Sequence, residues 1–166
     1  MIQVTICLDL LLLFGGNTCV QEFELPRPNT LKIQQQLIDN DYEKEAIYYY
    51  LINNFKQVSE LYETKSMDWD TDVFCSFEKD FEEGIHYSMD ECGEKGAELS
   101  VTFPTLEVQE IRNWIEQIHS IYESINDKNI WSDDHLVYHP SDMRSGCYYQ
   151  IETTRSATTV RIYCGC

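Results

Sequence analysis

Two cysteine pairs in this chain share one spacing. Cys75 and Cys92 lie 17 residues apart, and so do Cys147 and Cys164. The first pair is centred between Glu83 and Gly84, the second between Arg155 and Ser156. If each centre is a two-residue hairpin turn, the residues flanking it form a hydrogen-bonded pair, and pair types alternate from there. Each cysteine then lies an odd number of steps from its turn, on a non-hydrogen-bonded site. Such sites bring side chains closest and accept a cross-strand bridge. The expected disulfides are Cys75–Cys92 and Cys147–Cys164, with Cys166 joined to Cys19 or left as a thiol. Glu-Gly and Arg-Ser are not the favoured turn pairs, and residues 77–83 read equally well as a helical turn.

Disulfides require an oxidising compartment, and the N-terminus agrees with one. A short apolar run to Phe14 followed by Gly15, Gly16 and Asn17 resembles a secretory signal peptide, although Asp9 interrupts it and no Lys or Arg precedes it. The expectation is a signal over residues 1–19 and one domain over 20–166, exported to the periplasm or the extracellular space. Removal there discards Cys7. Cys19 sits where a lipidated cysteine would, so membrane attachment is expected only if Cys19 carries lipid. Zinc fits poorly, because Cys164-Gly165-Cys166 is C-x-C and no C-x-x-C occurs.

The rest of the chain alternates between helical and extended patterns. Pro26 and Pro28 mark an extended lead-in, and Asn29 or Thr30 can cap the helical pattern that follows. Apolar residues from Leu37 to Tyr62 recur at steps of three to five, predicting helix from Leu31 to about Met67, either whole or broken near Asp39-Asn40-Asp41. Leu99, Val101 and Phe103 alternate with polar residues, as in a half-buried strand. Ile111, Trp114, Ile115, Ile118, Ile121 and Ile125 form a second helical stripe over Leu106–Ile125, with Thr105 as its N-cap. Residues 127–146 read as an irregular polar loop. The predicted fold is α+β: two amphipathic helical segments packed on a small antiparallel sheet with disulfide-linked hairpins. The predicted core is Ile47, Leu51, Phe55, Leu99, Val101, Phe103, Ile111, Trp114, Ile115, Ile118, Ile121, Tyr149, Ile151, Val160 and Ile162.

Charge narrows the function. Against 29 acids stand 12 bases, a net of −17. That field repels nucleic acid and anionic lipid and attracts basic proteins. The chain has no G-x-S-x-G nucleophile, Gly-rich phosphate loop or basic patch, so catalysis is not expected. The reading is an exported acidic binding protein of the immunity or inhibitor kind, neutralising a basic secreted toxin or hydrolase. Its partner-binding residues are expected at Asp68, Trp69, Asp70 and Asp72 and in the loop at Trp131, Asp133, Asp134, His135, Tyr138 and Asp142. Two alternatives share parts of this evidence. One is an intracellular nucleic-acid mimic, which the cysteines oppose. The other is a metal-binding module at His135 and His139, which would share a helical face only if the loop were helical. No cofactor is expected. The Asp68-Trp-Asp-Thr-Asp72 opening suits a loose calcium site, but Val73 and Lys79 stand where an EF-hand needs Gly and Glu.

Overall fold

The computed structural model describes residues 5–6, 20–21, 23–41, 44–60, 62–65, 74–90, 97–122, 128–142 and 146–165. A two-residue ladder pairs β1 (Thr5–Ile6) with β2 (Val20–Gln21). The helices are α1 (Thr30–Asp39), α2 (Ala46–Asn54) and α3 (Val108–His119). Eight strands form the main sheet: β3 (Tyr62–Lys65), β4 (Phe74–Asp80), β5 (His86–Asp90), β6 (Ala97–Pro104), β7 (Asn129–Trp131), β8 (Val137–Pro140), β9 (Gly146–Thr153) and β10 (Ala157–Gly165). Their order is β3-β4-β5-β6-β10-β9-β8-β7, with every neighbouring pair antiparallel. The first four strands run as one meander. The connection through α3 then leads to the far edge, and a second meander returns inward until β10 meets β6. The fold is α+β.

Alternation along the strands decides which face is covered. Leu99, Val101 and Phe103 of β6 stand opposite Ile162, Val160 and Thr158 of β10, and all six are buried. Tyr87 and Met89 of β5, and Tyr149 and Ile151 of β9, extend the same face. The helices pack there. Trp114 of α3 meets Phe103 edge-on at 5.3 Å and Tyr50 of α2 at 5.4 Å. Tyr48 of α2 touches Phe77 and Tyr87. The stripe of α3 buries Ile111, Trp114, Ile115 and Ile118, each stabilising the fold by roughly 1.5–3 kcal/mol through removal of apolar surface from water. The lead-in is extended, as its prolines require. Phe23 stacks between Phe55 and Phe103, the Leu25 amide donates to Glu110 at 2.7 Å, and Tyr50 donates to the Pro26 carbonyl. Asn29 caps α1 through the Lys32 amide.

The first helical pattern breaks where Asp39-Asn40-Asp41 suggested, but it stops at Asn54 instead of continuing to Met67. Phe55 turns extended at φ −129°, ψ 144°, and Gln57 forms a β-bridge to Phe81. The Val58 amide donates to Asp80 and the Glu82 amide to Lys56. Sheet-edge hydrogen bonds thus override a helix-like spacing, and Val58 is left exposed. Thr105 does not cap α3. Glu107 is the N-cap, because Pro104 still belongs to β6 and the Thr105 hydroxyl donates to the Arg155 carbonyl instead. The helix also ends at His119, with Ser120 as its C-cap and Ile121 and Tyr122 in a turn, short of the predicted Ile125. The supposed irregular loop contains the edge strand β7 and its neighbour β8.

The second hairpin forms as its cysteine spacing implied. Thr153 pairs with Thr158 and Cys147 with Cys164, and a disulfide joins the two cysteines across a Cα–Cα distance of 4.2 Å. Arg155-Ser156 can make this turn because the Thr154 hydroxyl accepts from the Ser156 and Ala157 amides. The first hairpin differs. Its loop has three residues, Glu82–Gly84, closed by the Phe81 amide donating to Ile85. Glu83 and Gly84 both adopt positive φ, 62° and 75°, a conformation glycine accepts without strain. The ladder therefore pairs Ser76 with Asp90, one step off the register of a two-residue turn, and the geometric argument for Cys75–Cys92 does not hold. Cys75 is buried and disulfide-bonded. Its partner, and Cys92 itself, lie outside the described residues.

Candidate functional site

The hairpin β7–β8 brings together most of the expected partner-binding residues. Its four-residue tip is held by Ser132. The Ser132 amide donates to Val137 and its carbonyl accepts from the His135 amide, both at 2.8 Å. The Ser132 hydroxyl donates to Asp134 Oδ1 at 2.6 Å and accepts from the Val137 amide. Asp134 also takes the Leu136 amide. The Ser132 hydroxyl, followed by the Leu136 amide, holds the Asp134 carboxyl below the usual carboxylate range. His135 closes the turn with φ 60°. Asp133, Asp134 and His135 are exposed at this tip, and Asp142 is exposed in the turn after β8.

The two aromatic residues of the same set face inward. Tyr138 is buried and packs against Trp131 at 4.9 Å, His119 at 5.3 Å and Tyr149 at 6.2 Å. Trp131 is half-buried. Its indole N–H donates to Glu116 at 2.7 Å, and the Arg112 guanidinium lies 4.7 Å from its ring centre. These residues fasten the hairpin to α3, so the tip offers a partner acids and one imidazole, without Tyr138. Next to this cluster the Tyr122 hydroxyl donates to Glu45 and accepts from the Ala46 amide. Burial, reinforced by the Glu45 charge, raises the pKa values of Tyr122 and Tyr149. Asp68, Trp69, Asp70 and Asp72 lie outside the described residues, and the suggested calcium loop lies there with them.

His135 and His139 do not share a helix face. His135 is in the tip, whereas His139 lies on β8, stacks on Tyr148 and keeps Nδ1 3.0 Å from the Pro140 carbonyl. Among the described residues no group of three or more His, Cys, Asp or Glu side chains is placed to hold a metal ion.

The sheet face opposite the helices meets solvent and is rich in carboxylates. It carries Glu78 and Asp80 of β4, Asp90 of β5, Glu98 of β6 and Glu152 of β9, all exposed. Against these five carboxylates, the one guanidinium among the described residues of this face is Arg161 of β10. It donates to Glu152 at 3.1 Å and lies 3.7 Å from Glu98. His86 pairs with Asp80 at 2.8 Å. Sequence reasoning missed this face because its acids are dispersed along the chain and meet only through strand register. The alternation in 97–103 was its one visible signal. Comparison with known proteins finds no matching family model, no matching curated protein and no matching solved structure.

Proposed function

We propose that this chain is an exported acidic binding protein that neutralises a basic partner protein, in the manner of an immunity protein or an inhibitor of a secreted toxin or cell-wall hydrolase. The observation that carries this reading is the acidic sheet face. Among the described residues five carboxylates and one arginine stand there, on a chain of net charge −17. An open antiparallel face needs only polar residues to meet water. An excess of one charge sign over a broad surface also speeds and orients the encounter with a partner of opposite sign. The Cys147–Cys164 bridge is compatible with an oxidising compartment and favours this reading over an intracellular nucleic-acid mimic. The oxidised chain, used as bait on material from the source organism and eluted by a salt step, should release one basic protein at near-equal stoichiometry. Retention of nothing at low salt, where attraction is strongest, would make the charge a solubilising feature only.

A further inference from the structure

Strand register lines up side chains on the acidic face into rows. One row runs across six of the eight strands. Ile130 of β7 stands opposite His139 of β8. His139 stacks on Tyr148 of β9 with ring centres 6.2 Å apart and planes 11° apart. Tyr148 stands opposite Tyr163 of β10, Tyr163 opposite Glu98, and Glu98 opposite Asp90. The row is thus apolar and aromatic over four strands and anionic over the next two. Ile130 and Tyr163 are among the exposed large hydrophobic residues of the protein, at 46% and 40%. The neighbouring row holds Val137, Gln150, Arg161, Ser100, Ser88 and Glu78.

We propose that the row Ile130–His139–Tyr148–Tyr163–Glu98–Asp90 is the docking strip for the basic partner, and that it selects arginine over lysine side chains. The proposal rests on the basic-partner reading and adds the place and the chemistry. A planar guanidinium stacks on an aromatic face while its N–H groups reach a carboxylate, whereas an ammonium is a more strongly hydrated point charge that stacks less well. Tyr163 beside Glu98 supplies both halves of such a site on adjacent strands. The face already holds one guanidinium by its carboxylates, since Arg161 lies between Glu98 and Glu152. Six strands about 4.8 Å apart and the two rows about 6.8 Å apart cover roughly 400 Å², about half of the ~800 Å² that one partner contributes to a standard interface.

The test uses the oxidised full chain with octa-arginine and octa-lysine peptides, titrated calorimetrically at low ionic strength. Octa-arginine should bind more tightly than octa-lysine. Tyr163→Ser, which leaves the charge unchanged, should weaken octa-arginine about three- to fivefold and octa-lysine less than about twofold. Glu98→Gln should weaken both by about threefold, and Asp133→Asn, which removes the same charge from the hairpin tip, by less than about 1.5-fold. Equal losses for Glu98→Gln and Asp133→Asn, with none for Tyr163→Ser, would overturn the strip while leaving the basic-partner reading intact. Failure of the unaltered chain to bind octa-arginine would overturn both.

Discussion

Replacing both members of the Cys147–Cys164 bridge with alanine tests how far the C-terminal hairpin depends on its covalent link. The cysteines are 17 residues apart, and closing a loop of that size removes about 3 kcal/mol of conformational freedom from the unfolded chain. Little should be lost from the folded side. Strand pairing runs unbroken from Thr153–Thr158 to Gly146–Gly165, both cysteines are only half-buried, and alanine fits any strand site. With a urea m-value of about 1.5–2 kcal/mol/M, the midpoint should fall by about 1.5–2 M. The assay is equilibrium urea unfolding without reductant, followed by far-ultraviolet circular dichroism, with Cys75 left intact. The slope should rise slightly, because an uncrosslinked unfolded chain exposes more surface. A midpoint within about 0.3 M of the parent would refute the reasoning, since it would mean that the bridge does not restrict the unfolded ensemble.

Trp114→Ala removes a ring held between Tyr50 and Phe103 and should cost about 3–5 kcal/mol in the same unfolding assay; a loss below about 1 kcal/mol would show that the helix and sheet layers do not meet there. Tyr122→Phe strips a hydrogen-bond partner from the buried Ala46 amide and from Glu45, and should cost about 1–3 kcal/mol. Burial raises the pKa values of Tyr50, Tyr122 and Tyr149 above the ordinary tyrosine value of 10. Their contribution is therefore fully present below pH 10 and falls as pH rises above it, because the unfolded chain releases those protons first. In an ultraviolet titration these three of the 11 tyrosines should ionise only as the fold opens. Ionisation of all 11 near pH 10 with circular dichroism unchanged would contradict that burial.

The sequence showed those parts of the fold that depend on one stretch of chain at a time. Ile111, Trp114, Ile115 and Ile118 repeat at helical spacing, and Leu99, Val101 and Phe103 at strand spacing. All seven are in the core, because periodicity directly reports which side of an element meets the interior. The β9–β10 hairpin was visible for a related reason: its turn and its bridge are symmetric about Arg155-Ser156. The misreadings arose where a local pattern competed with distant partners. Phe55, Val58 and Tyr62 continue a helix-like spacing, yet the backbone beyond Asn54 pairs with the end of β4. The Glu82–Gly84 loop took one residue more than symmetry suggested, and so moved the β4–β5 register by one step. β7 and β8 are too short, at 3 and 4 residues, to display alternation within a polar segment.

The candidate site divides along the same line. Asp133, Asp134 and His135 were visible as a charged turn sequence, and the structure holds them at an exposed tip. Trp131 and Tyr138 looked like surface aromatics in a loop, but the strand alternation of β7 and β8 turns them toward α3. The same alternation places their neighbours Ile130 and His139 on the opposite face, where register adds Tyr148, Tyr163 and Glu98 from three further strands. No window along the chain contains that row.

Oxidative footprinting of the side chains, with and without octa-arginine at low salt, tests the sheet face as the receiving surface most directly. The account predicts that Tyr148 and Tyr163 become protected while Trp131 changes little. Protection of Trp131 and His135 at the hairpin, with Tyr163 oxidised as fast as in the free chain, would contradict it.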